Sequence, residues 1–194
     1  MQHRTLAELE PHLDHLRSAP ADIGRVVLVA CRPAPGTREL LAEGTLDLDE
    51  GLVGDGWSTR RTRTGDGRPH PDAQVTVMSA RMVALLDEDP RRQVLAGDQL
   101  YVDLDLSVDN LPSGARIAVG QAVLEVTGKP HTGCAKFMRH FGEEAIRFVN
   151  GREGRRLRLR GLNARVVTPG TVRPGDAVTV IHRDALFDVR LSVG

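Results

Sequence analysis

The chain reads as a mostly-β protein, a closed, barrel-like antiparallel sheet with a few short helices, one of them N-terminal. Three observations predict this. Short apolar or alternating runs recur between glycine and proline turns, as in Arg25–Cys31, Ala73–Met78, Arg116–Val119 and Ala177–His182. Helical spacing is confined to a few brief stretches, so the crossover helices that parallel strands require are missing between most strands. No internal repeat or linker divides the 194 residues, a length that suits one domain with its own core. The expected divisions are an N-terminal helical extension over 1–22, a barrel domain over 23–183 and a tail over 184–194.

Thr5 reads as a helix N-cap with Glu8 as its capping-box partner, followed by Leu6, Leu9, Leu13 and Leu16 at helical spacing around Pro11. This short helix should pack outside the main body. From Gly24 the pattern changes to strand type through Cys31, a small buried hydrophobe at the strand end. Thr37–Leu46 is a second extended stretch. EGLVGDGWSTRR follows, with glycines at 51, 54 and 56 around Asp55 and the only tryptophan. Such glycine density marks backbone at positive φ or open to close approach. The polar segment 62–72 reads as a mobile loop. Ser79 caps a helix running to Leu86, and Val94–Leu104 is strand-like with a glycine entry. Arg116–Val119, a Gly120–Gln121 turn and Ala122–Thr127 form a hairpin.

LEVTGKPHTGCAKFMRHFGEEAIRFVNG (Leu124–Gly151) carries the candidate chemistry. It begins as a strand, breaks at Gly128 and Pro130, and re-forms as helical turns. Cys134, Phe137, Phe141, Ala145 and Phe148 then fall near one face. The cysteine sits in or beside the first turn, where free N–H groups stabilise a thiolate. His131, Lys129 and Lys136 surround it, and those two lysines are the only ones in the chain. Cys134 is thus a candidate nucleophile or soft-metal ligand; the alternative is a structural cysteine buried beneath the helix. The run Arg152–Arg160 (REGRRLRLR) reads as a strand with one arginine-lined face, either solvated or in contact with an anion.

Other chemistries fit less well. Structural zinc wants four ligands, and no second C-x-x-C or H-x-x-x-H pair accompanies His131 and Cys134. Gly51–Gly56 lacks the P-loop spacing, which leaves a generic anion-facing glycine loop backed by Arg60 and Arg61. Pyridoxal phosphate would need Lys129 or Lys136 within a large cofactor domain. No G-x-S-x-G occurs.

Zero formal net charge and 3% aromatic residues argue against nucleic acid as a partner. No apolar run approaches a membrane span, no signal peptide is visible, and two cysteines make no disulfide framework. The expectation is a cytoplasmic protein with no membrane partner.

Several segments together resemble one family. They are GLVGDGW (Gly51–Trp57), GDQL (Gly97–Leu100) followed by LDLSVDNLPSGARIAVGQAVLEVTG, the loop PHTGC ending at Cys134, FGEEAIRFVN, and NARVVTPGTVRPGDAVTV (Asn163–Val180). In this order they resemble the MOSC domain, named for the C-terminal domain of molybdenum cofactor sulfurase. GDQL departs from the more usual GENL-type form, and PHTGC replaces a proline- and arginine-rich approach to the cysteine. The resemblance implies a β-barrel that binds the molybdenum cofactor (molybdopterin), with Cys134 either ligating molybdenum or carrying a persulfide sulfur. With Cys134 as the metal ligand, it implies an oxidoreductase that reduces N-hydroxylated small molecules with electrons from a separate redox partner. With a persulfide it implies a sulfur carrier served by a cysteine desulfurase. A binding-only barrel is a third reading, and the sequence also allows a homodimer. Cys134 and His131 are the candidate catalytic residues. Arg32, Gly54, Asp55, Arg60, Lys129, Lys136, Asn163 and Arg165 are candidate cofactor contacts, from their charge and their position beside the matching motifs.

Overall fold

The computed structural model describes residues 3–59, 64 and 67–183. Helix α1 (Leu6–Leu9) and α2 (Leu13–Arg17) flank a 3-10 turn at Glu10–His12, where Pro11 interrupts the helix. The expected capping box is present, with the Thr5 N–H donating to Glu8 at 2.8 Å. Strand β1 (Ile23–Cys31) is followed by β2 (Glu39–Leu41), β3 (Gly44–Asp47) and β4 (Gly51–Leu52). Then come β5 (Val75–Ser79), α3 (Ala80–Leu86), α4 (Pro90–Gln93) and β6 (Leu100–Asp103). Ser79 Oγ accepts from the Met82 N–H, as an N-cap should.

The hairpin of β7 (Arg116–Val119) and β8 (Ala122–Val126) turns at Gly120, whose φ is 58°. A Cβ there would lie 2.7 Å from the Thr171 carbonyl, so glycine is required. Helices α5 (Ala135–Phe141), α6 (Glu143–Asn150) and α7 (Arg152–Arg156) precede β9 (Leu162–Thr168), β10 (Gly170–Val172) and β11 (Ala177–His182).

Seven strands close into a barrel in the order β1-β11-β7-β8-β9-β5-β6 and back to β1, with β2 added outside β1. Pairings are antiparallel except β5 with β6, where Val77 faces Leu100 and Ser79 faces Val102. That parallel pair is spanned by α3 and α4, the crossover that a parallel connection demands. Strands β10, β3 and β4 form a small second sheet.

Alternation across the strands generates two cores. Val29, Val75, Val77, Leu100, Val102, Ile117, Leu124 and Leu162 belong to one buried cluster, set by the inward face of the ring. Their neighbours Ala30, Met78 and Tyr101 face the other way and pack with Leu9, Met82, Phe137, Phe141 and Phe148 under the helices. β5 is therefore buried on both faces. The N-terminal helices share this second core, with Leu9 only 1% exposed.

Three expectations are corrected. The single helical face over 134–148 is two helices, because Gly142 (φ 92°) breaks the chain between them. Phe137, Phe141, Ala145 and Phe148 are buried together regardless. Arg152–Arg160 is not a strand: Gly151 caps α7, and Leu157–Leu159 form a turn around Arg158 (φ 47°). Gly154 lets α7 lie against α6, since a Cβ would meet the Phe148 carbonyl at 2.2 Å. The alternation of leucine with arginine does not separate two faces, since Leu159 and Arg160 are both buried. Finally, Val94–Ala96 is a 3-10 turn ending at Gly97 (φ 92°), and the strand begins at Leu100.

Among the described residues, no helix is long and apolar enough to cross a membrane.

Candidate functional site

The site is built around GDQL, which enters β6. Gly97 turns the chain, and Gln99 then stitches β6 to β5. Its Oε1 accepts from the Thr76 N–H at 2.7 Å, and its Nε2 donates to the Gln74 carbonyl at 3.1 Å. Two buried arginines grip the preceding carbonyls. Arg32 Nη1 donates to the Gly97 oxygen at 2.6 Å, and Arg160 Nη2 to the Ala96 oxygen at 2.7 Å.

Each arginine is balanced by a buried carboxylate. Arg32, at the end of β1, donates through Nε and Nη2 to both oxygens of Asp55, at 2.7 and 2.9 Å. Arg160 Nη1 lies 2.5 Å from Asp98 Oδ2. Burial opposes ionisation of Asp98, but Arg160 and His131 overcome it and hold the carboxyl well below the usual range. Asp98 in turn, after burial itself, pushes the Tyr101 hydroxyl up. The Arg160 guanidinium also sits over the Phe137 ring, 5.0 Å from its centroid.

His131 completes this cluster. Its Nε2 is 2.7 Å from Asp98 Oδ1 and 2.9 Å from Arg160 Nη1. A carboxylate oxygen and a guanidinium cannot both be satisfied by one nitrogen. The tautomer with Nε2–H donating to Asp98 is the electrostatically sound one, and it leaves Nδ1 unprotonated. Burial, then Arg160, lowers the His131 pKa, with Asp98 opposing, so the ring is neutral at pH 7.

The approach loop to Cys134 is held on three sides. Thr127 Oγ1 donates to the Asp72 carbonyl at 2.7 Å. Asn163 Nδ2 donates to the carbonyls of Lys129 and Pro130, at 3.1 and 3.2 Å. Asn150 accepts from the Gly133 N–H at 2.9 Å and donates back to the Gly133 carbonyl. Gly133 is tight against α6, where a Cβ would stand 2.9 Å from Ile146. The loop then delivers Cys134 to the residue preceding α5, exposed rather than packed beneath the helix. Cys31 is buried at the end of β1, and burial and Glu39 push its thiol up.

Beside this loop lies a cavity of about 420 Å³. Residues 127–132 form one wall, Val149, Asn150 and Gly154–Arg155 a second, and Arg158 with 160–162 a third. It contains Lys129, His131, Arg155, Arg158 and Arg160, and no acidic residue lines it.

The expected contacts therefore separate. Lys129 and His131 line the cavity, and Asn163 braces its loop. Arg32 and Asp55 satisfy each other in the interior, behind GDQL. Gly54 forms an exposed turn at φ 80°. Lys136 is exposed on α5, and Arg165 pairs with Glu125 on the outer face of β9. Arg60 lies outside the described residues. Sequence reasoning missed Asp98, Arg155, Arg158 and Arg160. Asp98 was visible only as a motif letter, and the three arginines were placed on a strand that does not form.

The family model for the MOSC domain matches residues 64–179. The chain belongs to the MOSC domain family. Among solved structures, the YuaD protein of Bacillus subtilis superposes with a TM-score of 0.53 at 19% identity, covering 80% of this chain and 94% of that one. YiiM of Escherichia coli gives 0.52 at 22% identity, covering 82% and 71%. These likenesses show a shared fold. No functionally curated protein matches the chain in sequence. The MOSC family is linked to molybdenum cofactor binding.

Proposed function

We propose that this MOSC protein binds the molybdenum cofactor with Cys134 as the thiolate ligand to molybdenum. It would act in the reduction of N-hydroxylated small molecules with a separate electron donor. The observation that carries this reading is the exposed Cys134, presented by a loop fixed to β9 and α6 in a chain of this family.

The surrounding residues fit the group. Thiolate is a ligand molybdenum accepts, and a phosphate-bearing pterin needs cations and N–H donors. Arg38 is half-buried with its Nε atom unpartnered and no carboxylate bound among the described residues. It sits beside Gly97 and within electrostatic reach of His140 on α5, the helix that Cys134 precedes. Bound there, the cofactor would supply two-electron redox chemistry. The protein would supply the ligand, the cationic surroundings and a neutral His131.

The test is elemental analysis for molybdenum on protein from a cofactor-competent host, wild type beside Cys134→Ser. Near-stoichiometric metal that disappears in the variant is the expected result. Metal absent from both would sink the ligand reading.

The same exposure suits a second reading, a sulfur carrier with persulfide on Cys134 supplied by a cysteine desulfurase. A mass gain of one sulfur on Cys134, without molybdenum, would favour it.

A further inference from the structure

The cavity beside the Cys134 loop has a chemical character of its own. Lys129, Arg155, Arg158 and Arg160 contribute four fixed cations to its lining, and no carboxylate lines it. Asp98 compensates Arg160, whereas no ion pair engages Lys129, Arg155 or Arg158 among the described residues. Burial lowers the Arg158 pKa, the mark of a desolvated cation. Among the described residues its side chain makes one hydrogen bond, from Nη1 to the Leu111 carbonyl.

The backbone points the same way. The N–H groups of Gly128, Lys129, His131 and Thr132 make no hydrogen bond among the described residues, although Thr127 before them and Gly133 after them are both paired. All four residues line the cavity. Two pairs of unpaired N–H groups flanking Pro130 on a braced loop suit an anion-binding concavity. Across from them, Arg158 holds the only positive φ of a non-glycine residue among the described ones, at 47°. Strain of that kind costs free energy and persists where the surroundings over-determine it, often at ligand sites. Pro130, Val149 and Leu162 add apolar surface. The volume lies within the ordinary range of small-molecule pockets, roughly 300–1,000 Å³.

We propose that this cavity is a binding site for a small organic phosphate monoester, with Lys129, Arg155 and Arg158 and the N–H groups of Gly128, Lys129, His131 and Thr132 holding the phosphate. The site goes beyond cofactor ligation by Cys134 and stands without it. Guanidinium and ammonium groups match the phosphate oxygens, and the apolar wall takes the organic body. Cys134 does not line the cavity, and the cofactor reading rests on Arg38 beside Gly97 and His140, so the ligand is a phosphorylated metabolite separate from the cofactor.

The test is isothermal titration with phenyl phosphate on cofactor-free protein, wild type beside Arg158→Gly, Lys129→Gln and Lys129→Arg. Glycine at 158 removes the guanidinium while keeping the backbone at ease. Saturable binding is expected, weakened about tenfold or more by Arg158→Gly and Lys129→Gln, from the typical worth of a charged hydrogen bond, and retained in Lys129→Arg. Cys134→Ser should bind as wild type does, which separates this site from the molybdenum ligand. Absence of binding to the wild type, or equal affinity in Arg158→Gly and Lys129→Gln with both folded by circular dichroism, overturns the proposal. Repeating the titration on cofactor-loaded protein completes the test: unchanged binding supports a separate metabolite, and blocked binding identifies the cofactor's own phosphate and overturns the proposal.

Discussion

The Asp98 carboxylate and the Arg160 guanidinium form a buried pair, Oδ2 to Nη1 at 2.5 Å, that ties the entry of β6 to the entry of β9. The side chains are 5% and 0% exposed, so removing one strands a nearly buried charge. Asp98→Ala should cost about 3–5 kcal/mol of stability, the usual penalty for breaking a buried pair from one side. Urea unfolding followed by circular dichroism reads this directly. A loss under about 1 kcal/mol would mean the pair is hydrated or dispensable.

The same cluster makes stability depend on pH. The folded-state pKa of His131 is depressed, so its contribution is fully present above the unfolded value of about 6.5 and is lost as pH falls toward the folded value. Arg160 and Arg32 oppose its protonation and Asp98 favours it, with burial the largest influence. Asp98, also depressed, withdraws its contribution only below about pH 4. The urea midpoint should therefore drop between pH 7 and 5, and His131→Gln should flatten that part of the profile.

Gly161 sits at φ 102°, and a Cβ there would stand 2.1 Å from the Val77 carbonyl. Gly161→Ala combines strain with collision against a core strand and should cost more than about 2 kcal/mol. Gly36, at φ 86° with nothing near its Cβ position, should lose only the strain when changed to alanine. Thermal unfolding of the two variants side by side checks the difference.

The two cysteines should report the fold chemically. Cys134 is exposed, while Cys31 is buried with its thiol pushed up by burial and Glu39. Iodoacetamide should label Cys134 first and reach Cys31 at a comparable rate only in denaturant. Peptide mass spectrometry over a time course separates them.

Leu9→Ala tests whether the N-terminal helices belong to the body they cover. Leu9 is 1% exposed in the core beneath the helices, so truncation should cost about 2–5 kcal/mol. A neutral result would show a detachable arm.

The barrel was legible because strand periodicity and turn chemistry are local. Ala177–His182 and the 116–126 hairpin formed where the residues said they would, and Ser79 and Thr5 cap as their types suggest. The arginine run misled because a period of two over four residues cannot distinguish a strand from a helical turn followed by a left-handed residue. The Cys134 loop was visible through its glycine and proline breaks, but its bracing was not. Asn150 and Asn163 reach it from elements 17 and 33 residues away, and such pairings leave no spacing signal. Arg32 and Asp55 looked like a cationic contact and a loop acid, and only the fold shows them neutralising each other.

The barrel closes where Ile23 pairs with Thr179, the first strand of the ring against its last. A nascent chain therefore cannot seal the ring until β11 has left the ribosome, and until then one edge of β1 remains open to solvent. The earlier pairings of β7 with β8 and β8 with β9 span short loops or a helical segment and can form first. Ring closure should thus come last, with the seam between β1 and β11 the final pairing to form.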